Sequence, residues 1–397
     1  MDQRDSRQAV SDIYLLIALC TRAEGHAEFD ARLLDQVSRF NQWNELPAQT
    51  ERHGMGPLVY RHLSRVGAPI PAETRRRLQG QYLRQKHANR IFTRQLARVL
   101  SAFAAADIKP LLLKGAALAH LVYPDPALRP RSDIDILVRD TEAFRARDIL
   151  TALGFSASLP LGDQLPLRHF LPVALVDDGV PVLIELHHWD GRADDPAPRE
   201  PLLYPYFAEY AGFDAPPLTF TVETELGYAP SAEALFRTLN KHLVRHLLKG
   251  QTGLRLIWQA DLVSLAERYT REIDWDRLQR IDPAVLERLA LCYSFTPPAP
   301  NSGIPISPAS RPTGIDHYFE GWPRQTVFGL RPKQLWKLLQ ETFAPAEWWL
   351  AFHYGVSEPQ RLLLVRWWWH PVQILHLAVT LLVKRVRAGG RSTFSAG

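Results

Sequence analysis

The chain predicts an α+β fold in which a few short strands are embedded between mostly helical flanks. Three observations carry this. Apolar residues recur at three-to-four spacing through the first hundred positions. Two short aliphatic runs, 111–113 and 133–138, read as strands on either side of an Ala/Leu-rich segment. Helical spacing then returns after Ser231. A length of 397 residues with 46% hydrophobic side chains allows a sizeable core in two or three domains and argues against wholesale disorder.

Taken in order, residues 1–106 form a helical N-terminal region. Helical spacing covers 13–20, 29–40, 45–66 and 72–106, interrupted by Pro47, Pro57 and the pair Pro69 and Pro71. The arginines between 75 and 98 read as a solvated helix face. A core over 107–195 follows. Leu111, Leu112 and Leu113 make a buried strand that breaks at Lys114-Gly115, and a helix runs over 116–122. The next strand, 133–138, holds Asp133 and Asp135 on one face and Ile134 and Ile136 on the other. Asp177-Asp178-Gly179 reads as a tight hairpin turn leading into a strand over 180–187.

Beyond the core, 196–296 is expected to be a helical subdomain closing one side of the site, after a proline- and acid-rich loop at 192–217. Ser231 can cap a helix ending at Gly250, with Leu235, Leu239, Leu243 and Leu247 as its buried stripe. His242, His246 and Lys249 share another face. In the helix over 254–269, Asp261 lies on the apolar stripe and should find His242, His246 or an arginine. Residues 297–314 are a Pro-rich linker, and 315–397 an aromatic-rich helical region with a disordered tail. The apolar run 367–383 contains Pro371 and is short for a membrane span. With Lys384, Arg385 and Arg387 behind it, an interfacial helix and a packed core helix both fit; packing is favoured, because exposed apolar patches are rare.

The D-x-D strand carries the chemistry. Adjacent carboxylates repel unless a cation sits between them, and hard cations such as Mg²⁺ prefer carboxylate oxygen. An edge strand with two surface acids would look the same. A glycine at a strand-to-helix turn lets backbone approach a ligand, and the following helix N-terminus offers N–H groups to phosphate. Lys114 adds a charge there. Glu185 sits inside an apolar strand, where a lone carboxylate is costly, so it is expected to coordinate or pair. Arg129 and Arg131 approach from the loop and could meet phosphate oxygens, although for Arg131 ordinary loop solubility is the better reading.

This pattern resembles the DNA polymerase β-type nucleotidyltransferase superfamily. Within it, the chain is most similar to the uncharacterised nucleotidyltransferase family 5, on Lys114-Gly115, Tyr123-Pro124-Asp125-Pro126, Arg129 and Asp133-Ile134-Asp135-Ile136-Leu137-Val138. Ala116 departs from the wider superfamily, which has a serine there. The likeness is strong over 88–189, weaker over 231–278 and faint beyond 297. It implies a polymerase β-like core, a small mixed sheet with helices. It also implies two Mg²⁺ ions, with Mn²⁺ as the alternative, held by Asp133, Asp135 and Glu185. The nucleotide is expected at Lys114, Gly115, Ala116 and Arg129, with His187, His242 and His246 toward the metal shell or acceptor. The implied reaction moves a nucleoside monophosphate from an NTP, ATP foremost, to a hydroxyl or phosphate acceptor and releases pyrophosphate. The acceptor stays open among a small molecule, a saccharide, a peptide and RNA. An NTP-dependent phosphotransferase and a non-catalytic nucleotide-binding adaptor are the alternatives.

Composition bounds the partners. A net charge of +5 and a pI near 9.2 suit polyanionic ligands without the basic runs of a nucleic-acid patch. Cys20 and Cys292 are too few and too far apart for a disulfide framework or zinc ribbon, and zinc also suits this acid-rich set poorly. A charged N-terminus without an apolar core gives the expectation of a cytoplasmic protein, with weak peripheral contact at the inner membrane face through 367–387 as the alternative.

Overall fold

A computed structural model of the chain describes residues 12–157, 170–188, 213, 215–249, 255–309, 336, 339, 342–345, 347–376 and 379, with 245–249 described by backbone alone. It opens with helices α1 (12–19), α2 (Ala27–Arg39), α3 (Leu46–His53), α4 (Gly56–Arg65) and α5 (Ala72–Ala105). The expected helix over 45–66 is two helices. Pro47 and Pro57 each occupy a first turn, where a missing N–H is harmless, and Gly54 ends α3 at φ +70°. The 34 residues of α5 reach roughly 50 Å, long enough to serve two parts of the molecule. Leu78 on its first half joins the core with the other N-terminal helices, while Phe92, Leu96, Leu100 and Phe103 on its second half lie over the sheet.

That sheet has the order β1-β2-β5-β4-β3, from β1 (Leu111–Leu112), β2 (Asp133–Val138), β3 (Ser156–Ala157), β4 (Val173–Asp177) and β5 (Val180–His188). Only β2 and β5 run parallel; the other pairs are antiparallel. The expected α+β class with a small mixed sheet is therefore what the chain forms. The β4–β5 hairpin turns through Asp178 and Gly179, both at positive φ, as the Asp-Asp-Gly triplet requires. Period-two alternation sends Ile134, Ile136, Val138, Val182, Ile184 and Leu186 to one face. There they meet α5 and helix α7 (Ala143–Ala152) through Ala146 and Leu150. Each such buried side chain is worth about 1.5–3 kcal/mol, so the register is firmly set. The same alternation puts Asp135 opposite Glu185 and Leu137 opposite His187 on the other face. An edge strand is excluded, since β2 is flanked by β1 and β5.

Helix α6 (Lys114–Leu121) leaves β1 directly. A hairpin of β6 (Leu218–Val222) and β7 (Glu225–Ala229) follows the core; the alternation in 218–229 announces it, but the sequence reading passed over it. The loop expected at 192–217 lies almost wholly outside the described residues. Helix α8 (Ala232–Lys249) starts where expected, with Ser231 Oγ accepting from the Ala234 N–H at 3.3 Å. It is followed by α9 (Leu256–Arg268), α10 (Trp275–Ile281) and α11 (Val285–Tyr293). Residues 297–309 have no regular structure, in keeping with their prolines.

The N-terminal helices, α8, α9 and α11 share one apolar core, and the helix Glu347–Tyr354 adds Trp348 and Trp349 to it. The last described helix, Pro359–Leu364 continuing through a π-helical turn, behaves differently. Burial was the favoured expectation for its tryptophans, yet Trp367, Trp368 and Trp369 are 62%, 73% and 54% exposed. No helix among the described residues is long and apolar enough to cross a membrane.

Candidate active site

Asp135 is the centre of the site. It is 3% exposed, and its Oδ1 accepts from Lys114 Nζ at 2.7 Å and lies 2.9 Å from His187 Nε2. Burial opposes ionisation, but the Lys114 and His187 charges prevail and hold this carboxyl well below the usual range. Burial likewise works against the Lys114 ammonium, and Asp135 overcomes it, so the lysine pKa rises. Glu185 comes from the paired position on β5, with its Oε2 3.7 Å from His187. Asp135, Glu185 and His187 each offer a ligand atom, all within 4.8 Å of one another. Asp133 lies on the same face at the strand's start. Burial first, and then the charge of Asp135, push its carboxyl upward. Among the described residues the two carboxylates of Asp135 and Glu185 and the His187 imidazole converge, a donor set that suits Mg²⁺ or Mn²⁺, while Asp133 shares the face without joining that cluster. His187 is thus a candidate ligand as well as an orienting group.

At the strand-to-helix turn, the left-handed residue is Lys114, at φ +45°, and not the glycine. A side chain in that region costs about 1 kcal/mol or more, a strain that places the ammonium on Asp135. Gly115 sits in the first turn of α6 for another reason: a Cβ there would lie 2.8 Å from Arg129 Nη1. Ala116 packs into the sheet core, and its N–H donates to the Leu113 carbonyl at 3.2 Å.

Arg129 pairs inside the protein. Its Nη2 and Nε donate to Asp261 Oδ2 and Oδ1 at 2.6 and 3.0 Å, and Nη1 donates to the Pro130 carbonyl at 2.5 Å. The arginine is 9% and Asp261 0% exposed. Tyr123 Oη adds a 2.8 Å bond to Asp261 Oδ1. Asp125 caps the short turn Pro126–Leu128 through the Ala127 N–H at 2.9 Å and accepts from Tyr82 Oη at 2.7 Å. The Tyr-x-Asp-Pro and arginine of the motif therefore tie the sheet's leading loop to α5 and α9. Asp261 finds its expected partner in an arginine.

The cleft between these elements holds about 430 Å³ and is lined by Lys114, Gly115, Asp133 and Asp135 on the sheet side. On the helical side it is lined by His242, Arg255, Trp258 and Asp261, with Arg129 and Arg131 from the loop. Arg131 reverses the expectation. Its three guanidinium nitrogens are buried with no hydrogen-bond partner among the described residues, and burial, reinforced by Arg129, pulls its pKa down to about 10. Its guanidinium lies 5.3 Å from the Phe92 ring centroid. Arg255 also keeps Nε buried without a partner among the described residues. Nothing local in the sequence marks Arg255 or Trp258 as cleft residues, since both come from a distant helix start. His242 stands edge-on to Trp258 at 5.0 Å. The His246 side chain lies outside the described residues.

A carboxylate-bearing parallel strand pair with a strand–turn–helix beside it, opening on a cationic cleft, defines a nucleotidyltransferase-type core. The chain belongs to the family described as uncharacterised nucleotidyltransferases, whose model matches residues 40–294. Among solved structures it is similar to the antibiotic-resistance factor ANT(2'')-Ia, at 14% identity over 47% of this chain and 92% of that one, TM-score 0.30. It is also similar to an antigenic nucleotidyltransferase-like protein from Paracoccidioides brasiliensis, at 16% identity over 54% and 95%, TM-score 0.30. Comparison with curated proteins finds no match.

Proposed function

We propose that this chain transfers a nucleoside monophosphate from an NTP, ATP foremost, to a hydroxyl or phosphate acceptor with release of pyrophosphate. The observation that carries the reading is a cleft lined by Asp133 and Asp135, next to the Asp135–Glu185–His187 donor set, and also by Arg131 and Arg255. All three guanidinium nitrogens of Arg131, and Nε of Arg255, are without a partner among the described residues. Asp133, Asp135 and Glu185, with His187 beside them, are the residues to hold divalent cations. Divalent ions held there would supply Lewis-acid charge to the triphosphate and to the acceptor hydroxyl.

The chain's own residues position and answer charge. Arg131 and Arg255 take phosphate oxygens, which satisfies buried donors that have no other partner among the described residues. Lys114 balances the Asp135 carboxylate, and its ammonium stands at the cleft to answer phosphate charge. Arg129 is a positioning residue, because Asp261 occupies its fork. Trp258 and His242 offer aromatic surface for the base or acceptor.

Incubation with each NTP and Mg²⁺, with products resolved chromatographically, tests the reading. Pyrophosphate and a nucleotidylated product are expected, both absent in Asp133→Asn. Accumulation of the diphosphate would instead mean phosphoryl transfer, and binding without any product would mean an adaptor.

A further inference from the structure

The last described helix has its polarity inside out. At 100° per residue, Leu364, Trp368, Val372, Leu375 and Val379 form one stripe, and all are 54–73% exposed. The opposite stripe faces the protein and carries His370 and Gln373, 1% and 5% exposed, beside Leu362 and Ile374. His370 is fixed there, 2.7 Å from Tyr354 Oη and 2.8 Å from the Thr342 carbonyl through its two ring nitrogens. Rotating the helix to bury its tryptophans would break those contacts. A soluble surface helix shows the reverse pattern, polar outward and apolar inward.

We infer that this face docks onto an anionic lipid surface. Charge selects that occupant. From Pro359 to the last residue the sequence has six Lys and Arg and no Asp or Glu. Arg361 already pairs with Glu287 at 3.1 Å, so the charge left is Arg366 together with Lys384, Arg385, Arg387 and Arg391, the last four outside the described residues. A second copy of the chain would bring two such cationic segments together, whereas an anionic bilayer meets both the charge and the apolar stripe. Tryptophan is the side chain that best suits the boundary between headgroup and acyl chain. The contact lies on the surface, since no described helix is long and apolar enough to span. It is independent of the chemistry proposed for the cleft.

Flotation of the full chain with vesicles tests the inference. Binding to vesicles of mixed phosphatidylglycerol and phosphatidylcholine should exceed binding to phosphatidylcholine alone by about tenfold or more, and added salt should weaken it. Trp367→Ser with Trp368→Ser should lose binding with an unchanged melting temperature, because both rings are exposed. Lys384→Glu with Arg385→Glu and Arg387→Glu should lose the preference for phosphatidylglycerol. Failure of the wild type to float with either vesicle overturns the inference, as does equal flotation of the tryptophan variant. A lower melting temperature in that variant would make the rings structural. A wild-type dimer that the variant turns into monomers would assign the face to a second copy.

Discussion

On the sheet side of the cleft, Asp135 has its charge answered twice, by Lys114 and by His187. Elsewhere around the cleft, Arg131 from the loop before β2 keeps its three guanidinium nitrogens, and Arg255 from the helical side keeps Nε, buried with no partner among the described residues. The first arrangement is complete within the chain and stabilises the fold. The second carries a desolvation penalty that no partner among the described residues offsets. Under the proposed reaction, the acidic side is set before substrate arrives and the cationic groups are the ones phosphate would satisfy. Arg129, lying between them, belongs to the first kind despite standing in the motif, because Asp261 already occupies its fork.

The sharpest way to break this contrast is within the D-x-D pair, whose members the sequence makes equivalent. Asp135→Asn and Asp133→Asn should each cut turnover by about 10³-fold or more, the loss of several kcal/mol of charge stabilisation. Stability should separate them. Asp135→Asn leaves Lys114 without its counter-charge and should lower unfolding free energy by about 2 kcal/mol or more. Asp133→Asn relieves repulsion and should leave the melting temperature unchanged or higher. Equal melting shifts would show that the two carboxylates share one environment.

Next in size is the clamp. Asp261→Ala or Arg129→Ala should destabilise by about 3–5 kcal/mol in urea unfolding, since either leaves a buried charge alone. Gly115→Val should also destabilise, by driving a side chain into the Arg129 guanidinium. A folded, fully stable Gly115→Val with weakened nucleotide binding would mean that the glycine serves the phosphate and not the arginine. The opposite balance is expected for Arg131→Met and Arg255→Met. Each should weaken nucleotide binding about 10- to 100-fold, the worth of one or two charge-assisted hydrogen bonds, with stability unchanged or improved.

Much of the fold was legible because its signals are local. Ser231, Pro47, Pro57 and the Asp-Asp-Gly turn are each sufficient to place an element boundary. Alternation put Asp133 with Asp135 on one face of their strand and Glu185 with His187 on one face of theirs, and the parallel β2–β5 pairing brings those faces together. What the sequence could not distribute was partnership. Whether Arg129 or Arg131 is free depends on Asp261, more than a hundred positions away. Which turn residue bears the positive φ depends on where Lys114 must reach. The outward tryptophans were misread for a similar reason: composition argues for burial, but His370 and Gln373 fix the helix rotation.

The smallest effect is on pH dependence. The folded pKa of Asp135 lies below its unfolded value of about 4, so its stabilisation is present above that value and lost as pH falls through the folded pKa. Urea midpoints in chelator should therefore fall less steeply between about pH 5 and pH 3 in Asp135→Asn than in the wild type. Parallel curves would mean that Lys114 and His187 do not hold that carboxylate ionised.

Calorimetric titration of a non-hydrolysable NTP, with Mg²⁺ and with chelator, tests the division of labour between the two walls most directly. Arg131→Met should lose affinity in both conditions, and Asp135→Asn should lose only the Mg²⁺-dependent gain. Unchanged affinity in Arg131→Met, or a Mg²⁺ gain that survives in Asp135→Asn, would contradict it.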